Sequence, residues 1–333
     1  MTGLKKQQRS GQYRLVLFTL LLAFGVILMG AYVRLSDAGL GCPDWPGCYG
    51  RMVAPSHQDA VGEGYAGAPL QSDKAWKEMI HRYLAGVLGL AILALAIIAW
   101  RNRQREQQPL LLPTLLLLLV MLQAALGMWT VTLLVKPAVV TAHLLGGFAT
   151  LALLWLLLLQ LRGAPAAVAG GAPRRDRALM ILALVMVILQ ITLGGWTSSN
   201  YAALSCSEFP TCYAGQWWPP TDFREAFVIW RGVGINFEDG VLECDARTAS
   251  LLTHRLGALA RLVIAGMLGL RLVGRHAGPL RSAGFFLLAV LLLQVSLGIG
   301  NVCLLYTSDA ADDDTIVVGG GVGGGGGRGG GGG

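Results

Sequence analysis

The sequence predicts an all-α integral membrane protein built as two tandem four-helix bundle halves. Three observations predict it. The chain has 333 residues, 54% hydrophobic and only 14% charged, where soluble domains carry about 25% charged residues. Its apolar residues cluster in runs of about twenty, the length that crosses a bilayer. Finally, the sequence repeats itself at a spacing that divides it into two similar parts. Together these exclude a soluble globular enzyme, a disordered protein and a small disulfide scaffold. The net charge of +7 then reads as membrane topology, not as a surface for nucleic acid.

Seven spans are expected, at 15–34, 78–100, 110–133, 139–161, 178–197, 249–273 and 283–302. The first is too long for a signal-peptide core and no A-x-A cleavage site follows it, so it reads as an anchor. Residues 1–14 carry Lys5, Lys6, Arg9 and Arg14. The short connections after the second, fourth and sixth spans carry Arg101, Arg103 and Arg105, then Arg162, Arg174, Arg175 and Arg177, then Arg271, Arg275 and Arg281. Basic connections stay in the cytoplasm. This places the N-terminus inside and the long loops 35–77 and 198–248 in the periplasm of a bacterial inner membrane.

The repeat sets the domain plan. Cys42-Pro-Asp-Trp-Pro-Gly-Cys48 matches Cys206-Ser-Glu-Phe-Pro-Thr-Cys212; His81-Arg82 matches His254-Arg255; Leu122-Gln123-Ala-Ala-Leu-Gly127 matches Leu293-Gln294-Val-Ser-Leu-Gly298. The offsets are 164, 173 and 171 residues. A duplicated four-helix unit explains all three and gives a cytoplasmic N-terminus (1–14), an N-terminal half (15–162), a cytoplasmic linker (163–177) and a C-terminal half (178–302). After Val302 the pattern breaks. Cys303-Leu-Leu-Tyr-Thr-Ser-Asp-Ala-Ala-Asp-Asp-Asp314 leads into a tract that is glycine at 13 of its last 15 positions. Such sequence leaves backbone unpaired in lipid. Residues 303–333 are read as a low-complexity tail of translated adapter or out-of-frame DNA, with the plan's eighth helix missing.

The chemistry lies in three of the five histidines. His81, His143 and His254 sit near the outer ends of the second, fourth and sixth spans, and ionisable groups at membrane depth are costly and usually functional. A hydrogen-bonded interhelical histidine is the plainer reading of any one of them. Three at one depth, two at duplicated positions, point to axial haem ligation, and His81 and His143 on facing helices of one half form a pair. For His254 the offset points to Asp314 through Ile316, where no histidine stands. His276 belongs to the cytoplasmic side and His57 to a solvated loop. Glu78 lies three residues before His81 on the same helix face. It is either a carboxylate at the haem edge, able to move protons, or an acid solvated by headgroups. Arg82 and Arg255 either take haem propionates or anchor at the interface.

The two C-x5-C pairs face an oxidising compartment. Disulfides Cys42–Cys48 and Cys206–Cys212 would each close a short loop and stabilise by about 2 kcal/mol; redox activity or metal binding stays open. Cys244 has no counterpart in the repeat.

The segment from Gly30 to Cys48, with its Gly-Leu-Gly-Cys-Pro-Asp-Trp-Pro run, resembles the first outer loop of haem A synthases. So do Glu78-Met-Ile-His81-Arg82, Thr141-Ala-His143, Gly194-Gly-Trp-Thr-Ser-Ser and Thr253-His254-Arg255. The resemblance runs from about residue 14 to 302. It implies eight helices in two halves and oxidation of the C8 methyl of haem O to a formyl group, giving haem A for cytochrome oxidase. It implies substrate haem O on His81 and His143 in the N-terminal half, with Glu78 as the catalytic acid. Haem b would sit on His254 in the C-terminal half, and a haem O synthase would be the partner.

Two other functions use the same residues. A di-haem b electron-transfer protein needs the histidines but no carboxylate, and usually places haems at both membrane depths. A transporter or assembly scaffold on a parallel repeat needs broken helices with central charges, which the sequence lacks.

Overall fold

The computed structural model describes residues 2–105, 108–163 and 173–319, with side chains within 11–302. The helices are α1 (Thr2–Leu35), α2 (Ser72–Arg101), α3 (Leu111–Thr132), α4 (Pro137–Leu161), α5 (Arg174–Ser199), α6 (Phe223–Ala226), α7 (Cys244–Arg275) and α8 (Pro279–Gly319). Among the described residues, seven of them are long and apolar enough to cross a membrane, with spans at Gly11–Leu35, Ser72–Arg101, Leu111–Thr132, Pro137–Leu161, Arg174–Ser199, Cys244–Arg275 and Pro279–Val302. All seven expected spans are present. The linker residues 164–172, the tract from 320 on and the side chains of 314–316, where a second ligand to the C-terminal half was sought, lie outside the described residues.

Lipid offers the backbone no partner, so each apolar run becomes a helix that pairs its own amides. Charge placement fits the helix dipole. Asp73, Asp176 and Asp245 stand in the first turns of α2, α5 and α7, and Arg34, Arg101 and Arg275 in the last turns of α1, α2 and α7. Pro137 starts α4, where its locked φ suits a first turn. Several helix boundaries differ from the sequence reading, among them the starts of α1 at Thr2 rather than 15 and of α5 at Arg174 rather than 178. α2 begins at Ser72 rather than 78, and α7 at Cys244 rather than 249, because a polar first stretch stays helical beyond the apolar run. The backbone of α8 stays helical past 302, to Gly319.

In the first half α1 packs on α2 and α4, and α3 closes the ring between α2 and α4. Val16, Ile92, Leu95, Leu116, Leu154 and Leu157 are fully buried at its centre. In the second half α7 packs on α5 and α8, around Ala183, Leu268 and Leu272. The halves meet where α4 packs on α5. Contact there is close: a Cβ added at Gly195 would lie 3.0 Å from Leu144 and 3.3 Å from Thr141.

Both long loops lie on one face, where they are tied to the helices and to each other's half. Arg34 at the end of α1 pairs with Asp37 at 3.1 Å, donates to the carbonyl of Ser198 and stacks 4.1 Å from the centroid of the Tyr201 ring. Phe237 of the second loop donates its N–H to the Leu134 carbonyl, 3.2 Å away, between α3 and α4.

Candidate functional site

Helix α2 brings Glu78, His81 and Arg82 to the loop face of the first half, and α4 brings His143. Each imidazole lies against a glycine of the neighbouring helix. A Cβ at Gly30 of α1 would come within 2.9 Å of His81 Cε1, and one at Gly127 of α3 within 3.5 Å of His143 Cε1. The two rings are within electrostatic reach of each other. Nδ1 of each is buried with no hydrogen-bond partner among the described residues, a state that costs about 1–3 kcal/mol per group unless a ligand relieves it. Gln123 of α3 donates to the His143 carbonyl at 3.2 Å, reaching over Gly146.

Glu78 is only 5% exposed. One carboxylate oxygen accepts the backbone N–H of Cys42 at 2.8 Å, and the other pairs with Arg82. This removes the solvated, headgroup-facing reading of Glu78. The acid is covered because α2 starts early, which sets Glu78 in its second turn beneath the first loop.

Arg82 also donates to the carbonyls of Asp44 at 2.9 Å, Pro46 at 3.3 Å and Gly47. Arg255 donates to those of Glu208 at 3.1 Å and Thr211 at 2.9 Å. Asp44 and Glu208, and likewise Gly47 and Thr211, are the same positions in the repeat. The duplication read in the sequence therefore recurs as one clamp built twice, with each arginine gripping the disulfide loop of its own half. Both disulfides are formed, with S–S distances of 2.01 Å for Cys42–Cys48 and 1.99 Å for Cys206–Cys212, and all four cysteines are buried. Cys244 is free and exposed.

In the second half His254 lies against Gly194, whose added Cβ would be 3.3 Å from Cε1. The Gln190 amide nitrogen stands 3.1 and 3.3 Å from the two ring nitrogens and donates to the His254 carbonyl at 3.2 Å. The Arg261 guanidinium, two turns deeper, donates to Gln294 of α8. Gly298, the repeat counterpart of Gly127, has no described atom within 4 Å of a Cβ. His276 lies at the far end, 3.0 Å from Asp176, whose other oxygen takes Arg271. His57 lies exposed in the first loop.

The sequence reading passed over Gln190, Arg261 and Lys136. A glutamine and an arginine inside apolar runs were signals of the same kind as the histidines. Lys136 was detectable as a lone basic residue in a short connection on the side where basic residues are scarce.

Among the described residues no three His, Cys, Asp or Glu side chains gather to hold a bare metal ion. A haem iron needs only two axial ligands from the protein. The sequence matches the COX15-CtaA family, described as cytochrome oxidase assembly protein, over residues 13–311. It is 43% identical to the Heme A synthase of Shewanella oneidensis over 291 residues, 86% of each chain. It is 29% identical to that of Methylobacterium radiotolerans, over 89% of this chain and 83% of the other. With that of Shouchella clausii it shares 25% identity, over 66% of this chain and 69% of the relative.

Proposed function

The chain belongs to the COX15-CtaA family of cytochrome oxidase assembly proteins, and from that membership we propose that it is a haem A synthase. It is an oxidoreductase that converts the C8 methyl of haem O to a formyl group, giving haem A for cytochrome oxidase. Taking the methyl to a formyl group adds one oxygen and removes two hydrogens, a four-electron oxidation whose oxygen source and electron acceptor come from outside the chain. The observation that carries the reading is the half-buried pair His81 and His143, each with a buried Nδ1, and Glu78 on the same face of α2 as His81.

Substrate haem O fits the first half. Two imidazoles from facing helices are set against glycines, each with a buried nitrogen lacking a partner among the described residues. His81 and His143 hold the iron and fix the ring. Glu78 receives a proton at the carboxylate: each of its oxygens is already hydrogen-bonded but keeps a further acceptor site, and taking the proton weakens its hold on the Cys42 N–H and on Arg82. Arg82 and Arg255 act at the rims of the two sites, and the disulfide loops cover them. A di-haem b electron carrier would not need a carboxylate held this way, and the relatives' names support the synthase over it.

In the second half the described residues offer haem b one imidazole, His254. The residues 15–162 and 178–302 form the two working halves. A haem O synthase supplies the substrate. The loops face the periplasm and the N-terminus the cytoplasm, as the basic short connections favour.

The test is haem extraction with chromatography and mass spectrometry from membranes supplied with haem O. The expected product is haem A from the native chain, and none from His81→Ala or His143→Ala chains that still insert. Normal haem A yield from both variants removes the assignment.

A further inference from the structure

Lys136 is the N-cap residue of α4 and stands seven residues before His143. At a rise of 1.5 Å per residue it lies about 10 Å above that imidazole, toward the loop face. It is 2% exposed. Its ammonium donates to the Gly232 carbonyl and sits 3.3 Å from the centroid of the Trp230 ring, with the Phe237 ring at 5.8 Å. Among the described residues no carboxylate is within ion-pair distance of it. Buried charges are normally paired, and this one has a carbonyl and an aromatic face instead.

Three arginines of the loop face are engaged elsewhere. Arg82 holds Glu78 and the first disulfide loop, Arg255 holds the second loop, and Arg34 holds Asp37 and the Ser198 carbonyl. A haem set between His81 and His143 carries two carboxylates. Lipid does not accept them, so they point to the loop face, the direction in which Lys136 lies from His143.

Resting on the function proposed above, we infer that Lys136 receives a carboxylate of the substrate haem, and that Trp230 covers its ammonium until substrate arrives. The ammonium exchanges the Trp230 face for a charge-assisted hydrogen bond, the stronger contact. Trp230 and Gly232 belong to the second half's loop, so filling the first site loosens a segment of the other half. Substrate recognition at Lys136 is thereby shared between the halves.

The test compares haem O with its dimethyl ester, in which both carboxylates are blocked, by absorbance titration of the purified full-length chain. His81→Ala identifies the site by abolishing the titration. The native chain should bind the acid at least about tenfold more tightly than the ester, and Lys136→Gln should reduce that preference to about twofold by weakening acid binding alone. The glutamine amide in that variant keeps a donor for the Gly232 carbonyl. Lys136→Arg should retain the preference, and Trp230→Leu should leave it in place, since neither removes the charge. A native chain indifferent to esterification overturns the inference even if Lys136→Gln fails to fold, and so does a Lys136→Gln chain that keeps the full preference. A native chain with no His81-dependent binding overturns the proposed function together with the inference.

Discussion

At Glu78 the geometry limits what the side chain can do. A buried carboxylate between a backbone N–H and a guanidinium has both oxygens hydrogen-bonded, each with one partner. Protonation removes the charge that holds Arg82 and weakens the acceptor for the Cys42 N–H, so proton traffic at Glu78 is coupled to the first disulfide loop. Glu78→Gln keeps an acceptor for Cys42 but neither the charge that holds Arg82 nor a basic oxygen. Haem should remain bound, with an unaltered optical spectrum, while turnover of haem O falls about 10²-fold or more. Full activity in that variant would return Glu78 to a structural role. The sequence made His81, His143, His254 and Glu78 legible because ionisable groups stand out in apolar runs. It did not show what Glu78 or Lys136 touches. The Cys42 N–H and the Gly232 carbonyl lie 36 and 96 residues away and are backbone groups, which no side-chain pattern encodes.

Helices position these side chains through glycine contacts, and one such contact can be tested against its neighbour on the same helix. At Gly30 an added Cβ would meet His81 Cε1 at 2.9 Å, and at Gly25 it would meet nothing within 4 Å. Gly30→Ala should therefore displace the imidazole, shift the spectrum of bound haem and weaken its retention by about 1–3 kcal/mol. Gly25→Ala should do neither. In the second loop, Glu208 accepts the Thr211 hydroxyl at 2.7 Å and the Gly215 N–H at 3.1 Å, and these bonds hold its carboxyl below the usual carboxylate range. A lowered value means the loop keeps this support above the ordinary carboxylate pKa and loses it as pH falls through the lowered one. Protection of the Gly215 amide from hydrogen exchange should fall in that acidic window, and Glu208→Gln should abolish the pH dependence. Helix cores were legible from apolar run length alone. Helix starts were not: Ser72 and Cys244 begin polar stretches that stay helical beneath the loops, where hydropathy carries no signal.

For the whole molecule, duplication explains most of what the sequence displayed. The paired cysteines, the arginine clamps and the glycines beneath His81 and His254 recur at matched positions. The junction of the halves was not legible: beside the packing of α4 on α5 it rests on single contacts such as Arg34 to Ser198 and Leu134 to Phe237. These two contacts lie on the loop face, whose side of the membrane decides where the proposed substrate recognition and proton exchange would occur. Four of the six cysteines are bonded and Cys244 is free and exposed at the start of α7, on that face. In a Cys303→Ser background it becomes the sole reporter thiol. On the proposed topology, in which the arginine-rich short connections face the cytoplasm, a membrane-impermeant maleimide added to intact spheroplasts should label it as fully as it does after lysis. Labelling that requires lysis would reverse the topology. It would also put both disulfides in a reducing compartment, where such bonds do not persist, so the thiol and the cysteine pairs must give the same answer.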